Sequence, residues 1–296
     1  MKALIFVSIL WAFSFGLIKG QLTGIDPSLV SAIRLLLCAL VFIPFLRFAT
    51  QQKLSVQLLG LGALQFGVMY WAYIQSYQFL PGYLVAVLTI FTPIYVYLFA
   101  SFLERRFNAA ALVAIIGSII GAAIIVYKAP NDESWLMGFA ILQIANLAFA
   151  IGQVGYRHLT RLQTQATKPT IREHANHMAI MYMGGAIFSL IVIISNGAYQ
   201  GVDNINTKQW LVLLYLGIVA SGLGFACWNY GAKQVSPQTL AVMNNGYIPF
   251  AVIFSLTLFG ESADLTRLLA GLVLMVGSLI FLEKGVNKRR VKNELS

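Results

Sequence analysis

Residues 82–103 read GYLVAVLTIFTPIYVYLFASFL, a run of 22 residues without a charged side chain. An α-helix needs about 20 apolar residues to cross the hydrocarbon core of a bilayer, so this run predicts a membrane-spanning helix. The rest of the chain has the same character, because 59% of its 296 residues are apolar and only 10% are charged. A soluble domain carries about 25% charged residues, so the composition excludes a soluble globular protein.

Nine further runs of this kind follow one another along the chain, and no run shows the strict alternation that a transmembrane barrel needs. We therefore predict an all-α membrane protein with ten transmembrane helices. The predicted spans are Ala3–Ile18, Val30–Leu46, Leu54–Leu80, Gly82–Leu103, Phe107–Tyr127, Ser134–Tyr156, Met178–Tyr199, Gln209–Ala232, Thr239–Gly260 and Leu265–Leu282. The longest polar linker, residues 157–177, is too short for a soluble catalytic or nucleotide-binding domain.

The distribution of Lys and Arg predicts the orientation of these spans. With the N-terminus in the cytoplasm, the inside segments hold 15 of the 20 basic residues and the outside segments hold four. Cytoplasmic loops carry such an excess, so both termini are predicted to be cytoplasmic. The net charge of +10 is then a topology signal, and the partners we expect are the lipid bilayer and a small molecule rather than nucleic acid.

The two halves of the chain resemble each other at a nearly constant spacing. Pro93 and Pro249 are 156 residues apart, and Glu104 and Glu261 are 157 residues apart. We predict one five-helix repeat over 1–128 and another over 129–296. An odd number of spans in each repeat places the second copy upside down in the membrane, and inverted repeats are typical of secondary transporters.

These features together resemble the EamA-like, ten-helix branch of the drug/metabolite transporter superfamily. The resemblance rests on Trp-Ala-Phe-Ser-Phe-Gly at 11–16, on Arg34, and on Pro93 followed by Glu-Arg-Arg at 104–106, with copies of the latter at Pro249 and in Gly-Glu at 260–261. It covers essentially the whole chain. It implies a carrier of the bacterial inner membrane that moves small metabolites without a cofactor, often amino acids or their derivatives outward.

Polar residues inside the predicted spans are the best pointers to a transport path, because a polar group in hydrocarbon must face protein or a wet cavity. Gln143, Asn146 and Gln153 fall within an arc of about 80° on one helix face. We interpret this stripe as the lining of a cavity; the alternative is hydrogen bonding to neighbouring helices. The full set of substrate-binding candidates is Trp11, Gln75, Thr89, Gln143, Asn146, Gln153, Asn229, Asn244, Asn245 and Tyr247.

Five further residues are assigned structural roles. Pro93 and Pro249 are predicted hinges, because a proline removes a helix donor and favours a bend. Arg34 is interpreted as a latch between helices or as a contact for an anionic substrate, with Glu261 and Asp264 as possible partners. Glu104 and Glu261, at the ends of predicted spans, are expected to pair with neighbouring arginines such as Arg105, Arg106 or Arg267.

The spans contain no carboxylate at mid-membrane and no cluster with metal-ligand spacing, so neither an intramembrane enzyme nor a metal site is expected. We interpret the chain as a secondary transporter of small organic metabolites that exports amino acids or related compounds by alternating access. The expected cavity of amides, hydroxyls and aromatic rings suits a zwitterion or an amphipathic metabolite. A membrane scaffold or receptor, or a channel, remains the alternative, and a monomer and a homodimer are both possible.

Overall fold

The computed structural model describes residues 2–47, 52–105, 134–163, 170–235, 246–261 and 264–294, with isolated positions between 113 and 124 and between 240 and 244. This part of the chain is helical throughout, with short turns and no strand. Three of the sequence predictions lie outside it: the span 107–127, the boundary between residues 128 and 129, and Asn245.

Seven of the described helices are long and apolar enough to cross a membrane, and each overlaps one predicted span. They are α1 (Lys2–Leu22), α2 (Pro27–Phe45), α3 (Gln52–Ser76), α4 (Gly82–Leu103), α5 (Ser134–Thr160), α6 (Ile171–Asn196) and α7 (Thr207–Ala232). Two more helices follow, α8 (Ile248–Thr257) inside the predicted ninth span and α9 (Leu265–Glu294) at the predicted tenth.

Side-chain caps decide where several of these helices begin. Asp26 accepts a hydrogen bond of 2.8 Å from the Ser28 amide and caps α2, which opens with a proline. Before α6, the side chain of Thr170 accepts from the Glu173 amide while the Glu173 carboxylate accepts from the Thr170 amide. The first amides of a helix have no partner within the helix, so these side chains satisfy donors that would otherwise face the membrane interface.

Glycine allows α3 and α6 to cross with their backbones in contact. A Cβ on Gly62 would lie within 2.5 Å of the Cα of Met181, and one on Gly184 would lie 2.9 Å from the Leu59 carbonyl carbon. Small residues at such a crossing are typical of membrane helices, whose association depends on close packing rather than on the hydrophobic effect. The backbones of α3 and α6 are therefore in direct contact at Gly62 and Gly184.

The two halves of the sequence interleave in the bundle. Helix α1 packs against α7 and α8, α2 packs against α6 and α7, and α5 packs against α3 and α4. Within the described residues, regular helix is interrupted beside both predicted hinge prolines. In α4 a 3-10 turn covers Thr89–Phe91 just before Pro93, and α8 begins at Ile248 with Pro249 in its first turn. Both predicted hinge prolines thus lie in the first turn of a helical segment.

Candidate substrate-binding cavity

A cavity of about 570 Å³, a volume that includes space open to solvent, lies between α1, α2, α3, α4, α5, α7 and the residue before α8. The cavity is lined by Trp11, Ser14, Phe15, Arg34, Met69, Tyr70, Tyr73, Thr89, Thr92, Ala145, Asn146, Phe149, Phe225 and Tyr247.

Aromatic side chains make up half of the residues that line the cavity. The ring of Trp11 lies 4.5 Å from that of Phe225 and 6.0 Å from that of Phe149, measured between centroids. Across the cavity Phe15 stacks on Tyr247 at 5.3 Å. Such rings offer large, flat, apolar contact surfaces with little conformational freedom to lose, so the wall suits the apolar body of an organic solute.

A π-helical segment of α7, Tyr215–Leu223, shapes the side of the cavity near α2. The wider turn leaves carbonyl groups open to other donors, and neighbouring helices supply them. The indole Nε1 of Trp11 donates to the Ala220 carbonyl at 2.8 Å, and the hydroxyl of Tyr182 donates to the Gly222 carbonyl at 2.6 Å. Short π-helical segments are frequent at functional sites. Here the segment orients Trp11, whose ring then faces the cavity without a free donor.

Arg34 projects from α2 into a cluster with Ser221 of the π-helical segment and Tyr70 of α3. Its Nε and Nη2 donate to the Ser221 hydroxyl at 3.2 and 3.0 Å, and Nη2 also donates to the Tyr70 hydroxyl at 3.2 Å. The guanidinium carbon lies 4.4 Å from the centroid of the Tyr70 ring, a cation–π contact. The suggested partners Glu261 and Asp264 were wrong, because both carboxylates bind elsewhere.

Glu261 caps the N-terminus of α4. Its two carboxylate oxygens accept hydrogen bonds of 2.8 Å from the Gly82 amide and 2.7 Å from the Tyr83 amide. A carboxylate is stabilised at a helix N-terminus by the free amides and by the helix dipole. The expected pairing with Arg267 is incorrect, because Arg267 binds Asp264 at 3.2 Å. The side chain of Glu104 lies outside the described residues.

Four of the ten substrate-binding candidates line the cavity: Trp11, Thr89, Asn146 and Tyr247. The Asn146 amide nitrogen donates to the Leu88 carbonyl at 3.1 Å, where the 3-10 turn of α4 begins. This hydrogen bond to the 3-10 turn, which precedes Pro93, fixes the orientation of the Asn146 side chain. These four residues come from α1, α4, α5 and the segment before α8, so only the assembled bundle brings them together.

Three other candidates are buried behind the cavity wall in two separate hydrogen-bonded groups. In the first, a buried amide network, Gln153 exchanges hydrogen bonds of 3.3 and 3.2 Å with Asn244 and accepts one of 3.3 Å from the indole of Trp228. In the second, Asn229 accepts one of 3.3 Å from Gln65. All five side chains are buried and none lines the cavity, so both groups join helices rather than contacting its contents.

Gln143 and Gln75 also lie away from the cavity lining. Gln143 is half-buried and accepts hydrogen bonds of 3.1 Å from the Tyr95 hydroxyl and from Asn146, so it acts on the cavity through Asn146. Gln75 is half-buried near the end of α3. The amide stripe on α5 therefore divides between the cavity, a flanking position and the buried network.

Four residues that the sequence arguments did not single out are central to the site: Tyr70, Ser221, Phe149 and Phe225. Phe149 belongs to the Ala-Phe-Ala-Ile-Gly copy, at 148–152, of the aromatic motif in the first span, and that repeat was a usable signal. Tyr70 and Ser221 carry no such signal. Their role depends on Arg34, which is 36 and 187 residues away in sequence.

The model of the EamA-like transporter family matches residues 1–127 and 170–283, and the chain belongs to this family. It is therefore a transporter rather than an enzyme, and a multi-pass protein of the bacterial inner membrane. Its partners are a small-molecule substrate and the membrane.

Among curated proteins, the chain is 37% identical to the probable biotin transporter of Pseudomonas aeruginosa over 281 residues, which cover 94% of this chain and 96% of that protein. It is 35% identical to the biotin transporter of Escherichia coli K12, with 98% and 95% covered. A probable amino-acid metabolite efflux pump of Salmonella typhimurium is 25% identical, with 96% and 94% covered. A solved crystal structure with 17% identity has the same fold, with a TM-score of 0.66 and 94% and 95% of the two chains covered.

Proposed function

We propose that this protein is a secondary carrier that moves biotin, or a closely related acid, across the bacterial inner membrane. The observation that carries the proposal is the cavity itself, which lies between helices of both halves of the chain and has aromatic side chains at seven of its fourteen lining positions. Relatives that are 34–37% identical over nearly their whole length bear the name of biotin transporter, some with the qualifier "probable". Biotin, a fused bicyclic ureido ring with a short acid chain, has the mixed apolar and polar character of this lining.

We further propose ten membrane spans in two inverted five-helix repeats, with both termini in the cytoplasm. Corresponding features of the two halves support this arrangement. Helices α3 and α7 each contain a π-helical segment, at Ala63–Val68 and Tyr215–Leu223, and each is followed by a repeat-related tryptophan, Trp71 or Trp228. The family model also matches two separate segments of similar length.

Alternating access then follows from the position of the cavity between the repeats. Rocking of one half against the other opens the cavity to either side in turn, and the helix breaks at Pro93 and Pro249 act as hinges. The cap that Glu261 places on α4 joins the second half to the first, so it is one of the contacts that such a motion makes and breaks.

The test is uptake and counterflow of radiolabelled biotin in proteoliposomes that contain the purified full-length protein. We expect saturable transport that Asn146→Leu abolishes without loss of folded protein, because Asn146 lines the cavity. Gln75→Leu is the matched control, since it removes an amide outside the lining and is expected to retain transport. Equal transport by the two variants would show that Asn146 does not bind the substrate. Conductance without saturation would indicate a channel.

Export of amino acids or their derivatives is the second candidate function. The relative named as a probable amino-acid metabolite efflux pump favours it, at the lower identity of 25%. Loading the same proteoliposomes with a pool of amino acids, with and without a pH gradient, distinguishes the two candidates. Saturable loss of an amino acid together with inert biotin would replace the first proposal by the second.

A further inference from the structure

Among the described residues that line the cavity, Arg34 is the only one with a charged side chain. It is 3% exposed, and its surroundings are hydroxyl groups and aromatic rings. Moving an ion out of water into such surroundings is expensive unless an opposite charge or strong hydrogen bonds compensate it. The empty cavity therefore contains a cation whose compensation is incomplete.

The hydrogen bonds of the guanidinium show which part of it is left over. The group has five N–H donors in a planar fork. Nε and Nη2 bind Ser221 and Tyr70, whereas Nη1 is buried and has no hydrogen-bond partner among the described residues. A latch between helices accounts for Nε and Nη2 and leaves Nη1 unexplained. Most buried polar groups in proteins are hydrogen-bonded, so an unpartnered buried donor on a residue that lines a cavity points to an acceptor on the ligand.

The chain itself supplies no such acceptor in its described part. The two carboxylates predicted as partners of Arg34 both bind other groups. Glu261 binds the first amides of α4, and Asp264 binds Arg267. The two hydroxyl partners of Arg34 are neutral. Tyr70 adds a cation–π contact, which offsets part of the charge without providing an acceptor for Nη1.

We propose that Arg34 is the carboxylate-binding residue of the cavity, and that the substrates are monocarboxylic acids with an apolar or aromatic body. This assignment rests on the proposed transport function and specifies its substrate class. The Nη1 group has two N–H donors to offer a carboxylate, and charge-assisted hydrogen bonds of this kind are the strong ones. The aromatic rings of Trp11, Phe149 and Phe225 receive the body of the acid. At its other end the side-chain oxygens of Asn146 and Thr89 can accept hydrogen bonds from an uncharged polar group, since their own N–H and O–H donors bind within the protein.

The same lining argues against a zwitterion as the preferred substrate. No Asp or Glu is among the lining residues, so an ammonium group would have no carboxylate partner there. An acid without an ammonium group neutralises Arg34 and brings no second charge into the low-dielectric site. The expected order of affinity is therefore biotin above its primary amide, and a plain acid above the corresponding amino acid.

The experiment compares acids with their amides on purified wild type, Arg34→Gln, Arg34→Lys and Arg267→Gln. Binding is measured by calorimetry and by ligand-induced thermal stabilisation, with biotin against biotinamide and phenylalanine against phenylalaninamide. In the wild type we expect biotinamide to bind at least about 30-fold more weakly than biotin, since removing one member of a buried charge pair has at least this effect. Arg34→Gln removes the preference for the acid, Arg34→Lys restores part of it, and Arg267→Gln retains it.

Equal binding of acid and amide to the wild type would overturn the assignment, as would a preference that persists in Arg34→Gln. The acid–amide comparison needs no substitution, so it decides the question even where Arg34→Gln does not fold. A preference for the acid in the phenylalanine pair, with no binding or transport of biotin, would refute the proposed substrate and leave the role of Arg34 standing. Saturable biotin transport that is indifferent to the carboxylate would do the reverse, and failure of all four compounds to bind would refute both.

Discussion

The crossing of α3 and α6 provides a sharp test of the packing, because Gly62→Ala adds a single methyl group at the point of closest approach. That methyl would lie within 2.5 Å of the Cα and the carbonyl carbon of Met181, whereas ordinary contacts begin at 3.4 Å. The atoms in the way are backbone, so no side chain can move aside. The Met181 carbonyl oxygen lies closer still, so the two helices must separate by more than 1 Å at this point, or the backbone must deform.

The magnitude follows from two opposing terms. Overpacking of a close-packed interior costs about 1–3 kcal/mol, and the backbone contact at Gly62 places it at the upper end of this range. Alanine is a better helix former than glycine by about 1 kcal/mol, which offsets part of the loss. Gly60→Ala is the matched control, because Gly60 lies in the same helix and a Cβ there meets nothing within 4 Å. The gain in helix propensity is common to both variants, so we expect Gly62→Ala to be less stable than Gly60→Ala by the overpacking cost, about 2–3 kcal/mol.

Thermal unfolding of the detergent-purified variants, followed by intrinsic fluorescence, measures this difference. With about 2–4 °C of melting temperature for each kcal/mol, Gly62→Ala is expected to melt at least about 4 °C below Gly60→Ala. Gly60→Ala itself is expected to melt at or slightly above the wild type. A Gly62→Ala variant that melts at or above the Gly60→Ala control would refute the close crossing of α3 and α6.

Three further predictions concern other contacts. Glu261→Gln leaves one of the two α4 amides with a poorer acceptor and should lower the free energy of unfolding by about 1–2 kcal/mol. The control Asp264→Asn alters an exposed pair and should lower it by less than about 1 kcal/mol; equal losses would contradict the cap. Trp228→Phe removes the donor to the buried amide network and should lower the melting temperature more than Trp210→Phe at a half-buried site; the opposite order would count against the network. Burial lowers the pKa of Lys233 from 10.5 to about 8, so between these pH values the unfolded chain binds more protons than the folded one. The melting temperature of the wild type should therefore rise with pH relative to that of Lys233→Met, and parallel pH profiles would contradict the burial of Lys233.

The membrane helices could be predicted from composition because their cause is local. The run 82–103 became α4 with the same bounds. Helix α2 begins at Pro27, three residues before the predicted Val30, because the side chain of Asp26 caps it there. In a bilayer each backbone donor and acceptor must be satisfied within its own segment, so an apolar run of sufficient length specifies a helix whatever surrounds it. The family resemblance followed from the same local motifs and was confirmed.

The candidate site was predictable only in part. Thr89, Asn146 and Tyr247 line the cavity, as predicted for polar side chains inside membrane spans. Gln153 and Asn244 have the same residue types at similar positions, yet they bind each other behind the wall. Nothing in one helix distinguishes these cases, since the difference lies in which neighbouring helix faces the amide.

Apolar length, charge distribution and local motifs are enough to predict a polytopic helical membrane protein of the transporter class. Which side chains share the cavity, and what each one binds, depends on how the helices pack. The tertiary structure placed Ser221 and Tyr70 on two donors of Arg34 and left Nη1 without a partner, and it moved Glu261 from an expected ion pair to the start of α4. The physical reason is that these contacts join residues 36 to 187 positions apart, so they depend on helix packing and not on the local sequence.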